Sequence, residues 1–354
     1  MTAYEQQLAH IEARPRTWLV TGAAGFIGSH LAEALLRRGQ AVVGLDNFAT
    51  GFRQNLDAVR AAVGEAAWKR FRFIEGDIRS LADCREACRS VELVLHEAAL
   101  GSVPRSIDDP IASNEANVTG FLNILVAARD AGVERLVYAS SSAVYGDHPD
   151  LPKVEERIGR ALSPYALTKQ VNELYAGIFA GCYALDSIGL RYFNVFGPRQ
   201  NPEGAYASVV PAFIRALVTG GQAWINGDGG AARDFCYVDN VVQANLLAAT
   251  TTSREALNQV YNIAVGEQTS VSRLFELLRR LVGRRIPPAL RLRPAHREPR
   301  RGDVPFSLAD VSKAARLLGY RAGFTLEQGL ERTVDWYVEA LAPRAGQEGK
   351  AAYA

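Results

Sequence analysis

Three glycines spaced three residues apart, Gly22, Gly25 and Gly28, place the strongest constraint on how this chain can fold. They lie between an apolar run, Trp18–Thr21, and an amphipathic stretch, Ile27–Arg38. A tight glycine turn between a strand and a helix aims backbone N–H groups and the helix N-terminus at a phosphate, and glycines let the phosphate approach. The pattern predicts a turn that binds a dinucleotide pyrophosphate through Gly22, Gly25, Phe26, Ile27 and Gly28.

The first half of the chain alternates short β-branched runs with amphipathic stretches. This rhythm predicts an α/β fold with a doubly wound parallel sheet and right-handed crossovers, which is a Rossmann fold. The predicted strands are Trp18–Thr21, Ala41–Leu45, Phe71–Glu75, Leu93–His96, Leu136–Ser140 and Ser187–Tyr192. The predicted helices are Ile27–Arg38, Leu81–Arg89, Ile111–Ala131 and Leu162–Cys182.

The rhythm breaks after Asn194, where Pro198, Pro202 and Gly204 indicate loops and short elements. We therefore expect a smaller C-terminal α/β lobe that binds the substrate. The predicted division is an N-terminal extension at 1–16, a dinucleotide-binding lobe at 17–194 plus about 227–250, a substrate lobe at about 195–226 plus 251–342, and a loose tail at 343–354.

Composition and charge argue against several classes of protein. Lys and Arg number 40 and Asp and Glu number 38, and a net charge of +2 gives no electrostatic case for a nucleic-acid or membrane partner. The cysteines, Cys84, Cys88, Cys182 and Cys236, form no CxxC pair, so we expect free thiols and no metal site. Residues 1–16 are polar, and no stretch approaches membrane-spanning length. We therefore expect a soluble, cytoplasmic protein.

Asp46, at the end of the second predicted strand, distinguishes between dinucleotides. A carboxylate there accepts hydrogen bonds from the adenosine ribose and repels a 2′-phosphate, so it predicts NAD rather than NADP. The alternative is a solvated aspartate that begins a turn with Asn47. Residues after the third and fourth strands suit the edge of the adenine and the body of the cofactor. The predicted NAD contacts at these strand ends are Asp46, Asn47, Asp77, Ile78, Ala98 and Ala99.

Tyr165 and Lys169 lie four residues apart and therefore project from one face of a predicted helix. A phenol, with an ordinary pKa of about 10, is a poor base at neutral pH. A nearby ammonium and a positive nicotinamide stabilise the phenolate and lower that pKa. Such pairs occur by chance on amphipathic helices, but this one follows a glycine turn and the serine run Ser140–Ser142. We predict that Tyr165 is the acid–base group and that Lys169 supports it and binds the nicotinamide ribose.

Together these residues resemble the extended short-chain dehydrogenase/reductase family, in its nucleotide-sugar epimerase branch. The resemblance runs from Gly22–Gly28 to Ala309–Lys313. It is most evident with bacterial UDP-N-acetylglucosamine 4-epimerases, in the segments Leu100–Ser106, Gly146–Pro149, Arg199–Tyr206 and Ile225–Gly229.

The resemblance implies that Tyr165 removes the proton of the sugar O4 while the C4 hydride passes to NAD. A serine of the run is expected to hydrogen-bond O4; spacing from Tyr145 favours Ser141, and Ser142 stays open as the alternative. Tyr192 is a further expected cofactor contact. The expected substrate contacts, including arginines that bind the diphosphate, are Ser102, Asn194, Ala207, Arg233, Arg300, Asp303 and Ser307.

The positions after the first two serines of the run distinguish between reactions. The related dehydratases carry an Asp-Glu pair there, and the decarboxylases that form UDP-xylose carry a Glu. This chain has Ser142 and Ala143, and neither can serve as a carboxylate acid or base. The expected reaction is therefore C4 oxidation followed by return of the hydride to the opposite face, which is 4-epimerisation by an NAD-dependent isomerase.

Ser307 bears on the choice of sugar. Relatives restricted to UDP-glucose carry a bulky Tyr at this position, whereas a serine leaves room for an N-acetyl group, so the expected substrates are UDP-GlcNAc and UDP-GalNAc. The alternatives are a UDP-glucose or UDP-glucuronate 4-epimerase, an NAD-dependent nucleotide-sugar oxidoreductase, and a non-catalytic Rossmann-like binding protein. The resemblance also implies a homodimer through Ile111–Ala131 and Leu162–Cys182, and a place in polysaccharide biosynthesis.

Overall fold

The core of the protein is a parallel sheet whose central strands are buried on both faces. The computed structural model describes residues 2–203, 207–298 and 306–341. The strands are β1 (Thr17–Thr21), β2 (Ala41–Asp46), β3 (Phe71–Glu75), β4 (Leu93–His96), β5 (Arg135–Ser141), β6 (Ser187–Tyr192), β7 (Val195–Phe196), β8 (Trp224–Asn226), β9 (Ala232–Asp234), β10 (Cys236–Tyr237), β11 (Gln259–Ile263), β12 (Gln268–Ser270) and β13 (Ala295–Arg297). Within the described ranges, seven of these form one sheet in the order β11-β6-β5-β4-β1-β2-β3, with every pair parallel.

Helices cover both faces of this sheet and fill the second lobe. They are α1 (Ala3–Ala13), α2 (Phe26–Arg37), α3 (Arg53–Trp68), α4 (Leu81–Ala87), α5 (Val103–Asp108), α6 (Pro110–Asn114), α7 (Gly120–Asp130), α8 (Pro164–Tyr183), α9 (Val209–Thr219), α10 (Val238–Thr250), α11 (Val271–Gly283), α12 (Ser312–Leu318) and α13 (Leu326–Leu341). Short 3-10 turns occupy Ser142–Tyr145, Arg254–Ala256 and Pro287–Arg291. No helix within the described ranges is both long enough and apolar enough to cross a lipid bilayer.

The register of the sheet brings the functional loops to one edge. Thr21, the last residue of β1, lies opposite Leu45 of β2 and His96 of β4. The glycine turn after β1, Asp46 and the residues that follow β4 therefore meet at the carboxyl ends of adjacent strands, where ligands bind in open α/β sheets.

The predicted Rossmann architecture is confirmed, and the first six predicted strands are found within one residue at each end. The predicted helix Ile111–Ala131 is interrupted, because Glu115–Thr119 between α6 and α7 is a π-helical segment. Helices α1 and α3 are among those that were not predicted. In α1 only Ile11 is buried, and α3 contains a kink at Gly64, where φ is +78°, so neither shows a long regular apolar stripe.

The second lobe has an apolar core of its own. The helices α9, α11 and α13 pack together, and Phe213 and Phe275 meet edge to face with ring centroids 5.3 Å apart. Leu330 and Val334 of α13 are fully buried in the same cluster.

The predicted boundary of the two lobes is wrong on the C-terminal side. Residues 251–342 were assigned to the substrate lobe, but β11 pairs with β6 as the edge of the main sheet, with Tyr261 opposite Leu190. Leu318 of α12 and Tyr320 belong to the core of the first lobe. The assignment failed because β11 lacks a regular strand–helix rhythm around it, and only tertiary pairing places it in the sheet.

The predicted N-terminal extension also packs on the first lobe. Helix α1 lies against α10, and the Gln7 side-chain amide donates a hydrogen bond of 2.8 Å to the Thr250 carbonyl. Thr2 and Glu5 form a capping box at the start of α1, so two backbone N–H groups at the helix N-terminus are satisfied locally.

Candidate active site

The glycine turn leaves no room for side chains at two of its three glycines. Gly22 has a φ of +69°, and a Cβ there would lie 2.9 Å from the backbone nitrogen of Ala98. A Cβ on Gly28 would lie 2.1 Å from the carbonyl oxygen of Gly22. Gly25 is the N-cap of α2 and has no side chain with which to cap the first helical N–H groups. The turn thus forms a backbone cradle at a helix N-terminus, which suits a pyrophosphate.

Asp46 stabilises this turn from the end of β2. Its carboxylate accepts hydrogen bonds from the backbone N–H groups of Ala24, at 3.0 Å, and Phe48, at 2.7 Å. Burial raises the pKa of Asp46, and these backbone donors oppose the shift. A carboxylate has about four lone-pair directions, so Asp46 can still accept from ribose hydroxyls.

A cavity that we call the turn cavity opens beside Asp46 and brings together half of the predicted cofactor residues. Those that line it are Gly22, Asp46, Asn47, Asp77, Ile78, Ala98 and Ala99. Asn47 donates a hydrogen bond of 2.9 Å to Asp77. Arg79, which sequence reasoning missed, also lines the cavity; its hydrogen bond is the main reason that the pKa of Asp77 falls to about 2. The backbone cradle and the acceptor at Asp46 fit NAD.

A second cavity, the serine cavity, gathers the predicted chemical residues. The predicted residues that line it are Ser141, Ser142, Tyr165, Tyr192, Asn194, Arg233 and Ser307. Lys153, Phe306 and Tyr145 line it as well and were not predicted. From α5 it is Val103 that lines the cavity, whereas the predicted Ser102 is the N-cap of that helix and accepts from the N–H of Arg105.

A third cavity, the Trp224 cavity, shares Asn194 and Arg233 with the serine cavity. Trp224, which lines this cavity, is 47% exposed. Ser208 also lines the cavity, and the predicted Ala207 beside it in the chain is half-buried. The predicted diphosphate and ribose ligands Arg300 and Asp303 lie outside the described residues.

Helix α8 begins in a way that fixes the orientation of Tyr165. Ser163 is its N-cap and accepts a hydrogen bond of 3.2 Å from Ala166, and Pro164 is its first residue. The backbone N–H of Tyr165 donates to the Ser106 hydroxyl at 3.0 Å. Both ends of this bond lie in elements that pack together, because α5 contacts α8.

Tyr165 and Lys169 lie close together on α8, and burial shifts the pKa of each in the protein without its cofactor. The Lys169 ammonium donates a hydrogen bond of 2.8 Å to the Ala139 carbonyl and lies 6.0 Å from the centre of the Tyr165 ring. Burial raises the pKa of Tyr165, which the Ser141 hydroxyl opposes and Glu97 reinforces. Burial also lowers the pKa of Lys169 to about 8. The predicted lowering at Tyr165 is thus not seen in the protein alone, because desolvation of the phenolate dominates.

The two candidate serines differ in their surroundings. Ser141 lowers the pKa of the Tyr165 phenol, and its hydroxyl accepts a hydrogen bond of 3.1 Å from Ala143. Ser142 lines the same cavity as the first residue of a 3-10 turn. The influence on Tyr165 favours Ser141 as the serine that acts with it, which stays a prediction.

A buried ion pair lies beneath the serine cavity. Arg191 of β6 makes two hydrogen bonds of 2.8 Å to the carboxylate of Glu173 on α8. Glu173 also accepts from the Ser140 hydroxyl, and Arg191 donates to the Tyr145 hydroxyl at 3.1 Å. The side chains of Arg191 and Glu173 are only 3% and 11% exposed. This pair ties α8 to β6 and to both ends of the segment Ser140–Tyr145.

Asp234 holds the segment that carries Ser307. Its buried carboxylate accepts hydrogen bonds from the backbone of Val265, Gly266 and Ala309, at 3.0, 3.0 and 3.3 Å. Burial raises its pKa to about 6. The Ser307 hydroxyl in turn accepts a hydrogen bond of 3.3 Å from the amide of Asn194.

Comparison with known proteins places the chain in a family. Residues 18–264 match the model described as the NAD dependent epimerase/dehydratase family. The chain belongs to this family. Its cofactor is therefore NAD, in agreement with the prediction from Asp46 and with the shape of the glycine turn.

Individual relatives cover nearly the whole chain. A UDP-glucose 4-epimerase of Mycolicibacterium smegmatis is 37% identical over 90% of this chain and 97% of its own length. A UDP-glucuronate 4-epimerase of Thermodesulfobacterium geofontis is 32% identical over 92% of this chain and 97% of its own length. The solved structure of a UDP-N-acetylglucosamine 4-epimerase from Methanobrevibacter ruminantium, in complex with UDP-N-acetylmuramic acid, has a TM-score of 0.83 and 34% identity and covers 92% of this chain and 99% of its own.

Adding one methyl group to the glycine turn tests whether its backbone binds NAD. We expect Gly28→Ala to raise the Kd for NAD at least about tenfold, which is about 1.4 kcal/mol, since its Cβ would collide with the Gly22 carbonyl. Gly177→Ala on α8 is the matched control, because a Cβ there meets no described atom within 4 Å. Calorimetric titration of NAD-free protein measures both, and unchanged affinity in Gly28→Ala would contradict the assignment.

The buried ion pair makes a second prediction. Glu173→Gln leaves the Arg191 guanidinium buried without a carboxylate, so we expect the free energy of unfolding to fall by about 3–5 kcal/mol. The control is Glu331→Gln, which breaks an exposed pair with Arg284 and should change stability by less than about 1 kcal/mol. Urea denaturation measures both, and equal effects would show that the buried pair does not anchor α8.

Proposed function

We propose that this protein is an NAD-dependent UDP-sugar 4-epimerase that interconverts UDP-N-acetylglucosamine and UDP-N-acetylgalactosamine. Two kinds of evidence support the 4-epimerisation: the family and its relatives, and a serine cavity that Ser141 and Tyr165 both line. The choice of an N-acetylated sugar rests on Ser307.

Tyr165 is the group that accepts and returns the proton of the sugar O4. The chemistry that bound NAD would supply is reversible hydride transfer at C4, with no net oxidation of the sugar. Ser141 lines the same cavity as this phenol and can donate to O4 as the proton leaves. The ammonium of Lys169, fixed on the Ala139 carbonyl, favours the phenolate over the neutral phenol.

Inversion at C4 requires that the 4-keto sugar turn over while the nucleotide stays bound. Arg233 and Asn194 line both the serine cavity and the Trp224 cavity, so they stand where the sugar end and the nucleotide end of the substrate meet. An arginine there can hold a diphosphate by charge and by its forked geometry. The serine cavity must then accept the sugar in two orientations.

The acid–base groups of the serine cavity support epimerisation over elimination. Ser142 and Ala143 line the cavity just after Ser141, and neither carries a carboxylate that could remove or supply a second proton. The keto sugar can therefore only take back the hydrogen it lost. This favours an isomerase over a dehydratase.

Ser307 is the observation that carries the choice of sugar. Its side chain is 8% exposed, lines the serine cavity and is held by Asn194. A hydroxymethyl group at this wall leaves space that an aromatic side chain would fill. The space, with a hydroxyl that can bond an amide, suits an N-acetyl group at C2.

A substrate comparison tests this assignment. We expect the protein, without added NAD, to convert UDP-GlcNAc with a kcat/KM at least about tenfold above those for UDP-glucose and UDP-glucuronate, equal to about 1.4 kcal/mol in the transition state. Ser307→Tyr should lower turnover of the N-acetylated pair and spare UDP-glucose, because the new ring occupies the acetamido space. Product sugars are identified by chromatography and NMR.

The controls separate the reaction from the choice of sugar. Tyr165→Phe should abolish epimerisation while retaining NAD. A tenfold preference for UDP-glucose or UDP-glucuronate would overturn the N-acetyl assignment but leave 4-epimerisation intact. Release of NADH in step with turnover would instead identify a net oxidoreductase.

We also infer that the protein is a homodimer. The outer side of α8 exposes Leu167, Leu174 and Ile178, which are 54%, 70% and 58% accessible. Ile107 of α5 and Ile111 of α6 are also exposed, and both of these helices pack against α8. An apolar face of this kind on three adjacent helices supports a self-complementary contact with a second copy.

Charge on this face should dissociate the dimer. We expect Leu174→Glu combined with Ile178→Glu to convert the protein to monomers, since two carboxylates cannot be buried without partners. Leu290→Glu, at an exposed leucine of the second lobe, is the matched control and should stay dimeric. Light scattering coupled to size-exclusion chromatography measures the mass, and a wild-type monomer would refute the inference.

A further inference from the structure

Glu97 is a half-buried glutamate beside the catalytic residues, and neither the family assignment nor the sequence analysis gave it a role. It follows directly after β4, and its carboxylate accepts a hydrogen bond of 2.7 Å from the Tyr192 hydroxyl. That hydroxyl accepts one of 2.8 Å from the amide of Asn245 on α10. Strand β6 and helix α10 thus hold the carboxylate in one position.

Two groups of α8 share the electrostatic environment of Glu97. The Lys169 ammonium stabilises the ionised form of Glu97, and Glu97 in turn stabilises the ammonium. The same carboxylate raises the pKa of the Tyr165 phenol. Glu97 therefore acts on both members of the Tyr165–Lys169 pair.

The other ionisable groups near Lys169 and Glu97 are either neutralised by a partner or uncharged. Glu173 also faces Lys169, but Arg191 neutralises it through two hydrogen bonds. His96, next to Glu97, bonds the Thr21 hydroxyl, and burial lowers its pKa to about 3, so it carries no charge at neutral pH. Glu97 is thus the carboxylate that balances the Lys169 ammonium.

We propose that Glu97 is a positioning residue for epimerisation, which keeps Lys169 cationic and sets the pH range in which Tyr165 exchanges the O4 proton. The proposal rests on the proposed function, in which Tyr165 is the base. Glu97 acts through Lys169 and Tyr192 rather than on the sugar.

Glu97 is also poised to change charge near neutral pH. Burial raises its pKa to about 7, against the opposing effects of Tyr192 and Lys169. Burial lowers the pKa of Lys169 to about 8. Because the two groups titrate in adjacent ranges and interact, their protons are lost in steps that belong to the pair.

The effect of removing the charge has a definite sign. Glu97→Gln keeps the oxygen that accepts from Tyr192 and deletes the negative charge. A site that is more positive favours the phenolate of Tyr165 and the neutral amine of Lys169, so both pKa values fall. The acidic and the alkaline limbs of the kcat profile should therefore both move to lower pH, by about one unit or more. A purely structural role would lower kcat without moving the limbs.

Glu155→Gln is the matched control. Glu155 is a buried glutamate whose pKa is also raised by burial, and its carboxylate accepts a hydrogen bond of 2.8 Å from the backbone of Asn262. Its charged neighbours are Lys313 and Glu156 rather than the Tyr165–Lys169 pair. The same substitution there should leave both limbs in place.

Two readouts make the test independent of the substrate. The tyrosinate absorbance of wild type minus Tyr165→Phe gives the Tyr165 titration, and this should shift to lower pH in the Glu97→Gln background. The Tm is the second readout. The pKa of Glu97 is raised on folding, so its stabilising contribution is present at low pH and is lost as pH rises through about 7. Glu97→Gln should therefore gain Tm relative to wild type above that pH.

The outcomes separate this proposal from the proposed function. In the first outcome, wild type epimerises UDP-GlcNAc, but Glu97→Gln moves neither limb of the kcat profile nor the tyrosinate titration and gives no pH-dependent gain in Tm. The role of Glu97 is then refuted, and the enzyme assignment stands. If wild type epimerises no UDP-sugar, the proposed function fails. The tyrosinate and Tm measurements then still report whether Glu97 controls the charge of the pair.

Discussion

The active site depends on the ion pair between Arg191 and Glu173. Removing two charges from water costs several kcal/mol for each, and only a close, fully bonded geometry offsets that cost. Here the guanidinium and carboxylate meet through two hydrogen bonds, and Ser140 and Tyr145 bond the remaining positions. Because one partner is on β6 and the other on α8, the pair fixes Tyr165 relative to the serine run.

The first half of the fold could be predicted from the sequence because its signals are local. Strands such as β1 and β4 are continuous apolar runs, and a run buried on both faces shows no other pattern. Strand β11 could not be predicted, because its membership of the sheet depends on pairing with β6 far away in the chain. Helices α1 and α3 bury too few residues to give a clear period.

The candidate site could be predicted where a residue type carries the chemistry by itself. The glycine turn, Asp46 and the Tyr165–Lys169 spacing are of this kind. Protonation could not be predicted, because the raised pKa of Tyr165 results from burial, which the sequence does not reveal. Glu97 was missed for a related reason. An acidic residue after an apolar strand is usually solvated, and only the fold shows that Tyr192 covers this one.

The late position of β11 links the two lobes during synthesis. Chains emerge N-terminus first, and domains begin to fold in that order. Until β11 leaves the ribosome, β6 is an open sheet edge whose unpaired N–H and C=O groups can pair with another nascent chain. The helices α9 and α10 are made before β11 and α12 after it. The dinucleotide lobe is therefore completed only after α9 and α11 of the substrate lobe have been made, and its edge at β6 stays unpaired while α9 is synthesised.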